Sequence, residues 1–344
     1  MKDVITIGSI VRDLFWEIEL PIIKWKGTES GKALVFPLGE KYGAKNIFFC
    51  IGGNAANAAT TFARQGLKTG IFSLVGGDIA GKENLRLLKN EGVDTTLVGV
   101  DNKKETATST IFIQSGERSI LTYHGVMNEF AQTKIDFENL LSRWWYLSLS
   151  ANNHLMFDSL MSYAIKKSIS VAVNPTHNQL VGEGKRDLLK NLKYLSLLIV
   201  NDEEAAMLAG ISFKKNQERT IFKKLSKLTS AIIVITLGPK GSLTFYDGRI
   251  YKAGIFQNKK IIDRTGAGDA FGSGLTSILI KNNIDFSKIK NKNVESKNIE
   301  EAIRFASANA TSVVEYIGAQ PGILTGQDFL SKRWQDLPIE KYNL

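Results

Sequence analysis

Short runs of β-forming residues alternate with helix-like stretches through the second half of the chain. The β-rich runs are WWYLSLS (144–150), SVAVN (170–174), LSLLIV (195–200) and AIIVITLG (231–238). Helix-like stretches separate or follow them, near 154–168, 186–192, 201–210 and 216–228. Because a crossover helix between successive strands makes those strands parallel, the alternation predicts a doubly wound α/β core with a mostly parallel central sheet and helices on both of its faces.

The first half of the chain contains a stretch that breaks this alternation. DVITIGS (3–9) predicts a buried strand, but residues 14–51 hold β-formers between glycine, proline and charged breaks, with no helical period. We interpret 14–51 as a small β-rich lid on a large α/β domain made of residues 1–13 and 52–344. The strand-like runs within 95–123 either complete this lid or extend the main sheet.

Composition restricts the class of protein before any motif is considered. The 344 residues are 43% apolar, which is enough to bury a core. No stretch approaches the roughly eighteen consecutive apolar residues of a membrane-spanning helix. The start, MKDVITIGSI, lacks the basic flank and long apolar core of a secretory signal, so we expect a cytoplasmic protein with no membrane partner. A single cysteine, Cys50, and three separated histidines offer no disulfide and no zinc spacing.

The formal net charge of +10 raises the alternative of a nucleic-acid partner. The lysines and arginines are scattered along predicted polar helix faces and loops, and aromatic residues do not alternate with them as they do in a strand-binding groove. We therefore expect a solvated basic surface and no nucleic-acid partner. The positive field favours anionic small substrates such as ATP.

One glycine-rich segment imitates a P-loop. Gly76, Gly81 and Lys82 in VGGDIAGKE have the spacing of that motif, but the residue after the lysine is Glu83, where the motif needs a magnesium-binding hydroxyl. A carboxylate at this position would also repel phosphates. This segment therefore predicts only a turn and the start of a helix.

IGGNAANAATTFARQG combines a glycine pair with two amide side chains. Gly53, the second glycine of the pair, lets the backbone approach a ligand, while Asn54 and Asn57 share one face of the first helical turn. Amides both donate and accept hydrogen bonds, which suits the vicinal hydroxyls of a sugar. A simple bend followed by helix packing explains the same residues equally well.

Two further segments are ambiguous from their residues alone. Asn201 and Glu204 in NDEEAAMLAG have the spacing of a capping box, although a carboxylate at the end of a buried strand also suits Mg²⁺ held through water. TLGPKGS fits an ordinary tight turn. Alternatively, Thr236, Gly238 and Gly241 of this segment line the phosphates of a nucleotide.

The densest pattern is IIDRTGAGDAFGSGL, residues 261–275. Thr265 and the small residues 266–268 lead into a helix that begins near Asp269, so successive N–H groups and the positive end of the helix converge on one point. Such a point suits an anion, yet the sequence places a carboxylate beside it. A glycine-rich turn before a helix is by itself a weak indication, and the glycine spacing excludes a Rossmann fingerprint.

Together and in this order, GGNAAN, NDEE, TLGPKGS and DRTGAGD resemble the signature regions of the PfkB, or ribokinase-like, family of carbohydrate kinases. The resemblance extends from GSIVRD (8–13) to GAQPG (318–322), nearly the whole chain. It implies the ribokinase-like fold with a β lid. It also implies an ATP-dependent, Mg²⁺-requiring kinase that phosphorylates a hydroxymethyl group of a sugar.

The resemblance further implies a role for each matching residue. Asp269 is expected to be the base that takes the proton from the acceptor hydroxyl, beside an anion hole for the transferring γ-phosphate. The other implied roles are the anion hole at the N–H groups of Gly266, Ala267 and Gly268; sugar contacts at Asp13, Gly53, Asn54 and Asn57; Mg²⁺ and phosphate positioning at Asn201 and Glu204; nucleotide contacts at Thr236, Gly238 and Gly241; and a monovalent-cation site at Asp263 and the carbonyl of Thr265, near Gly318.

Departures from the family pattern bear on the substrate and on potassium. Val11 stands where ribokinases have an asparagine, and Asn54 stands where they have a lysine, which argues against ribose. Gly322 replaces a hydroxyl residue that is common in potassium-dependent members. Activation by K⁺ is therefore left open.

Alternatives to a sugar kinase are kept. The nearest is a nucleoside kinase of the same fold, because the apolar lid segments FWEI, LVFPLG and IFFC are suited to covering a base. A non-catalytic sugar- or nucleotide-binding protein is disfavoured by the presence of Asp269. Arg118 and His124 are further candidates for substrate contact, although strand packing explains both. By family analogy we expect a homodimer through the lid strands, since exposed strand edges tend to pair.

Overall fold

The computed structural model describes residues 1–28, 30–114, 117–149, 151–214, 216–284 and 294–344. Residues 29, 115–116 and 150 of the segments considered above lie outside these described ranges. The strands are β1 (Lys2–Gly8), β2 (Val11–Glu17), β3 (Ile22–Lys24), β4 (Lys32–Leu34), β5 (Asn46–Gly52), β6 (Thr69–Gly76), β7 (Val98–Asp101), β8 (Thr108–Gln114), β9 (Glu117–Tyr123), β10 (Ser142–Ser148), β11 (Ser170–Val173), β12 (Leu197–Asn201), β13 (Ile232–Thr236), β14 (Ser242–Tyr246), β15 (Arg249–Ala253) and β16 (Ile339–Asn343). The helices are α1 (Asn54–Arg64), α2 (Ile79–Asn90), α3 (Phe157–Lys167), α4 (Gly182–Asn191), α5 (Asp202–Leu208), α6 (Glu218–Leu225), α7 (Ala267–Lys281), α8 (Ser296–Val313) and α9 (Gly326–Phe329).

A large central sheet runs through the molecule. Its order is β16-β15-β14-β13-β12-β11-β10-β1-β6-β7, and the run from β13 to β7 is parallel. Strands β14, β15 and β16 continue it in antiparallel fashion. The predicted doubly wound, mostly parallel sheet is confirmed. The run TLVGV forms β7, which extends this sheet, whereas β16 was not predicted.

Helices cover both faces of this sheet because its strands are apolar on both sides. Trp144 and Tyr146 of β10 belong to the apolar cluster that includes α1, α7 and α8, while Trp145 between them belongs to the cluster that includes α3, α4, α5 and α6. All three side chains are fully buried. Burial of a large apolar side chain contributes roughly 2–3 kcal/mol, so these alternating aromatics hold the helical layers to the sheet.

A second, smaller sheet has the order β5-β2-β8-β9. Strands β2 and β8 are parallel, and the other two pairs are antiparallel. Both β8 and β9 belong to it, so most of the strand-like residues of 95–123 complete the small sheet. Strand β2 begins at Val11, which places Asp13 on this sheet opposite Cys50 of β5. A short hairpin of β3 and β4 adds to the same region.

The segment that imitates a P-loop is a turn followed by the start of α2, as predicted. Asp78 caps this helix, and its Oδ1 accepts hydrogen bonds from the Gly81 N–H at 2.8 Å and from the Thr106 hydroxyl at 2.6 Å. A Cβ added at Gly81 would lie 2.1 Å from the carbonyl oxygen of Gly76, so close packing of the turn accounts for this glycine without a phosphate. Among the described residues, none of the helices has the length and apolar character needed to cross a membrane.

Candidate active site

Two cavities lie near the carboxyl ends of the central strands, where α/β sheets commonly bind ligands. The first, called the inter-sheet cavity below, measures about 260 Å³ and is lined by residues of the small sheet and of helices α1 and α7. The predicted site residues that line it are Asp13, Gly53, Asn54, Asn57, Thr265, Gly266 and Asp269. The fold thus brings residues from both ends of the chain to one wall.

The second cavity, called the hairpin cavity below, measures about 300 Å³ and adjoins the turn between β13 and β14. The predicted residues that line it are Thr236, Gly238, Gly241, Ala267 and Gly268. Apolar side chains form much of the remaining wall, namely Ile255, Ile261, Phe271, Ala310 and Val314. Its lining suits an apolar group next to a polar turn.

The 265–269 turn is the common wall of the two cavities. Gly266 and Asp269 line the inter-sheet cavity, whereas Ala267 and Gly268 line the hairpin cavity. Gly266 precedes helix α7 with φ of 76°, and a Cβ added there would fall 2.4 Å from the Cβ of Ala319. Only glycine meets both constraints, so the tight turn depends on this residue.

Asp269 is held by a chain of amide hydrogen bonds. Nδ2 of Asn57 donates to Oδ2 of Asp269 at 2.9 Å, and Nε2 of Gln320 donates to Oδ1 of Asn57 at 3.3 Å. Asn57 and Gln320 are both buried. The hydrogen bond from Asn57 therefore orients the carboxylate of Asp269, a residue that lines the inter-sheet cavity.

Burial raises the pKa of Asp269 to about 6, and the hydrogen bond from Asn57 opposes that rise. A carboxylate in this range is mostly ionised at neutral pH yet is a stronger base than an exposed aspartate. Groups with this property suit general base catalysis. The opposing effects of burial and the Asn57 amide set the basicity of the site.

A second carboxylate, Asp13, lies buried in the same cavity. The pKa of Asp13 is raised to about 7, mainly by burial and in part by the charges of Asp263 and Asp269, while a hydrogen bond from Ser109 opposes the rise. Glycine at position 52 leaves space for this carboxylate, because an added Cβ would lie 2.0 Å from Oδ2 of Asp13. Asp13 is thus placed to accept hydrogen bonds from a ligand in the inter-sheet cavity.

Asp263 is buried below the turn and lines neither cavity. Its Oδ1 accepts from the Thr265 N–H at 3.0 Å and the Thr265 hydroxyl at 2.7 Å, and its Oδ2 accepts from the Gly318 N–H at 3.1 Å. NH1 of Arg118, from strand β9, lies 3.3 Å from Oδ1. Residues that resemble a monovalent-cation site are therefore brought together, but a guanidinium group already contacts the carboxylate.

The sequence matches the family model described as pfkB family carbohydrate kinase over residues 35–325. That span includes the 265–269 turn, Asn57 and the residues that line the hairpin cavity. The chain belongs to the PfkB family.

Relatives of this PfkB-family chain have more than one acceptor in their names. A ribokinase of Haemophilus influenzae is 28% identical over 85% of this chain and 90% of its own length. A cytidine kinase of Thermococcus kodakarensis is 29% identical over 72% of this chain and 84% of its own length. The structure of Arabidopsis thaliana ribokinase complexed with ribose and ATP has a TM-score of 0.74 at 22% identity, covering 97% of this chain and 99% of that one. The fold is thus ribokinase-like, and the chain is a kinase of this family.

The NDEE segment of this PfkB-family kinase is a capping box in the structure. The Asn201 side chain accepts from the Glu204 N–H at 2.8 Å, and Oε2 of Glu204 accepts from the Asn201 N–H at 2.8 Å. Neither residue lines a cavity described above, but Asn201 pairs in register with Thr236, which lines the hairpin cavity. Burial raises the pKa of Glu204. The capping-box interpretation of this motif is confirmed, and the motif lies at the same sheet edge as Thr236.

Several lining residues were not found from the sequence. In the inter-sheet cavity these are Ser9, Ser109 and Thr122, while His124, a weaker candidate, does line it. In the hairpin cavity they include Arg264, Asn258, Ser307 and Thr311. The small polar residues of ASANATS in α8 were the available signal for the last group, since polar residues on a buried helix face need a partner. Ser109 and Thr122 lie on strands, where alternation gives the face but not its occupant, and Ser9, Asn258 and Arg264 lie in connecting segments.

Proposed function

We propose that the protein is an ATP-dependent sugar kinase that transfers the γ-phosphate to a hydroxymethyl group. The observation that carries the proposal is the position of the 265–269 turn between the two cavities. Asp269 lines the inter-sheet cavity, and Ala267 and Gly268 line the hairpin cavity. An acceptor hydroxyl and a nucleotide phosphate need such opposed positions for in-line transfer. The N-terminus of the 15-residue helix α7 adds a positive dipole end at the same point.

Asp269 acts as the base in this proposal. As the acceptor oxygen forms its bond to the γ-phosphorus, its proton passes to Asp269, and the bond from the γ-phosphorus to the bridging oxygen breaks to release ADP. The N–H groups of Gly266, Ala267 and Gly268 stabilise the negative charge on the transferring group. The raised pKa of Asp269, about 6, supports the base role because it brings proton affinity closer to neutral pH.

The hairpin cavity is proposed to bind the nucleotide. Thr236, Gly238 and Gly241 are placed to contact its phosphates, and the apolar wall around Ile255 and Phe271 suits a purine ring. Oδ1 of Asn258 and Oγ of Ser307 are buried at this cavity without a hydrogen-bond partner among the described residues. Such polar atoms are suited to the edge of a base.

Magnesium is proposed to enter with the nucleotide. The described residues contain no group of three histidine, cysteine or acidic side chains that could hold a metal, so a cage made by the protein alone is not supported there. One carboxylate, Glu204, near the nucleotide loop fits Mg²⁺ that is held mainly by phosphates and water. The ion would neutralise phosphate charge, while Asn201 and Glu204 position it through water.

The inter-sheet cavity is proposed to bind the sugar. Asp13, Asn54 and Asn57 offer acceptors and donors on one wall, together with the backbone at Gly53. Nδ2 of Asn54 donates to the Ser148 hydroxyl at 2.9 Å, which fixes the direction of that amide. Groups of this kind match vicinal hydroxyls, which both donate and accept hydrogen bonds.

A nucleoside is the second candidate acceptor, and one feature of the cavity favours it. The small sheet contributes apolar side chains to this cavity, namely Val11, Ile111 and Ile120, and Met127 lines it as well. A nucleobase would bury these apolar side chains better than water or a free sugar would. The cytidine kinase among the relatives is consistent with this alternative.

The small sheet is proposed to act as the lid, comprising 14–51 with β8 and β9, over a large domain of 1–13 and 52–344. Closing it would keep water from accepting the phosphoryl group. Every residue of its edge strand β9 is exposed, including Leu121 at 68%. This edge supports a homodimer through the lid strands, which sedimentation velocity would detect as a species of twice the monomer mass.

An acceptor panel tests the proposed function. Purified protein, ATP and Mg²⁺ are incubated with hexoses, pentoses and nucleosides, and the phosphorylated products are identified by ³¹P NMR. Transfer to a sugar hydroxymethyl group is the expected result. Preferential transfer to a nucleoside would select the second candidate. ATP binding without transfer to any acceptor would contradict both and favour a binding protein.

A further inference from the structure

An arginine of the small sheet reaches the turn that separates the two cavities. Arg118 lies on edge strand β9, opposite Ile113 of β8. Its NH1 contacts Oδ1 of Asp263 at 3.3 Å, across 145 positions of sequence. The Arg118 side chain is 37% exposed, whereas that of Asp263 is 4% exposed. The contact therefore joins a partly exposed arginine of the small sheet to a buried carboxylate.

The carboxylate that Arg118 contacts organises the turn. Asp263 accepts both the N–H and the hydroxyl of Thr265, the residue directly before Gly266. It also accepts the Gly318 N–H, and two residues later Gln320 holds Asn57 against Asp269. Both the anion hole and the proposed base are thus anchored to Asp263.

A buried carboxylate in this place requires a positive partner. Asp263 and Asp269 both lie close enough to Asp13 that their charges raise the pKa of Asp13. A nucleotide with several negative charges would add to this cluster. Among the ion pairs between described residues, Arg118 supplies the cation that contacts Asp263.

A potassium ion does not fit this arrangement as it stands. The resemblance placed such an ion between Asp263 and the carbonyl of Thr265, but Oδ1 already faces three donor groups, one of them a guanidinium. A cation beside a guanidinium would be repelled.

We propose that Arg118 takes the place of the monovalent cation, fixing the 263–269 turn from the lid sheet so that the kinase needs no K⁺. The inference rests on the proposed function, since it concerns the same anion hole. Arg118 is a positioning residue that acts through Asp263 and touches neither substrate. Because it lies on the lid sheet, its charge reaches Asp263 only when that sheet is seated against the turn.

The activity test compares two salts at equal ionic strength, KCl and tetramethylammonium chloride. Wild-type protein should give the same kcat/KM for ATP in both salts. Arg118→Met should lose about tenfold or more in tetramethylammonium chloride, and KCl should restore several-fold of that loss because the vacated oxygens can then hold K⁺. Arg118→Lys, which keeps the charge, should lose less and stay insensitive to K⁺.

Arg86→Met is the matched control. Arg86 forms an exposed ion pair with Glu83 on helix α2, so this variant removes the same kind of side chain away from the turn. Its kcat/KM should equal that of wild type in both salts. Stimulation of wild type by K⁺, unchanged kcat/KM in Arg118→Met, or an equal loss in both salts would overturn the proposal.

Amide hydrogen exchange gives a readout that does not depend on an acceptor. In tetramethylammonium chloride, Arg118→Met should exchange faster than wild type over 117–123 and 263–268. Adding KCl should slow 263–268 but leave 117–123 fast, since K⁺ would restore the turn without restoring the link to the sheet. If wild type phosphorylates no acceptor, the proposed function fails, and unaltered exchange over both segments separately overturns the role of Arg118.

Discussion

The side-chain amide of Asn57 donates a 2.9 Å hydrogen bond to Oδ2 of Asp269, although 212 positions separate the two residues. Asn57 lies on the first helix and Asp269 in the first turn of α7, and these helices pack against each other on one face of the central sheet. The bond orients the proposed base and opposes the effect of burial on its pKa. The proposed acceptor site and the strength of the proposed base are therefore coupled through one amide.

Replacing the proposed base separates chemistry from binding. Asp269→Asn should lower kcat by about a hundredfold or more, because an amide cannot take the proton from the acceptor hydroxyl. Binding of ATP should persist, since the proposed nucleotide contacts lie in the other cavity. Turnover assays and calorimetric titration with ATP check the two statements.

Asp158→Asn is the control for that substitution. Asp158 also lies in the first turn of a helix, α3, but it pairs with Lys190 at the surface and lines neither cavity. Its turnover should match wild type. Wild-type turnover in Asp269→Asn as well would refute the base role.

The pH dependence of kcat/KM follows from the basicity of Asp269. Only the ionised carboxylate can act as base, so activity should rise as the pH increases through about 6. Asn57→Ala removes a donor that stabilises the charged form, which raises the pKa of Asp269 and should move the acid limb to higher pH. Rate profiles between pH 4.5 and 8.5 for both proteins give the comparison. An acid limb that stays in place would show that Asn57 does not set this basicity.

Asp13→Asn should stabilise the protein at neutral and higher pH. Burial raises the pKa of Asp13 from 3.8 to about 7, so folding favours the protonated form and wild-type stability falls as the pH rises through that interval. Removing the charge should add about 2–4 kcal/mol to the free energy of unfolding at pH 8. The difference should vanish below about pH 3, where Asp13 is protonated in both states. Urea unfolding at several pH values measures it.

Asp94→Asn provides a control of opposite sign. Although burial opposes it, hydrogen bonds from Thr96 and the ion pair with Lys2 lower the pKa of Asp94 to about 2. The ionised form is stabilised in the folded state, so Asp94→Asn should reduce stability at pH 7. Equal effects of the two substitutions would contradict the assigned environments.

Alanine substitutions at Gly266 and Gly268 of the 265–269 turn should have different effects on stability. Gly266→Ala combines a positive φ with a Cβ only 2.4 Å from Ala319, and should lower the free energy of unfolding by about 2 kcal/mol or more. Gly268→Ala meets nothing within 4 Å, so its stability should match or slightly exceed that of wild type.

Kinetics complete the comparison of the glycines. The new methyl group of Gly268→Ala projects into the hairpin cavity, where the phosphates are proposed to lie, and should raise the KM for ATP several-fold. Thermal unfolding and ATP titrations of both variants are the measurements. A KM for ATP equal to that of wild type in Gly268→Ala would place the phosphates elsewhere.

Much of the fold followed from sequence because its signals are local. The alternation of apolar runs and helices after residue 140 predicted the parallel sheet, and IIDRTGAGDAFGSGL predicted a turn before a helix. The position of 95–123 did not follow, because apolar runs of similar composition formed β7 of the large sheet and β8 and β9 of the small one. Strand partners are set by long-range packing, which a run of β-formers does not specify.

The candidate site divides in the same way. The sequence by itself determined that Asp269 adjoins a glycine turn and that Asn201 and Glu204 can cap a helix, since both depend on spacings of a few residues. Only the tertiary structure decided that Gln320 supports Asn57, and that Arg118 meets Asp263 across 145 positions. Such contacts arise from sheet order, strand register and helix packing. These bring remote segments within hydrogen-bonding distance, and no local pattern of residues records which segments will meet.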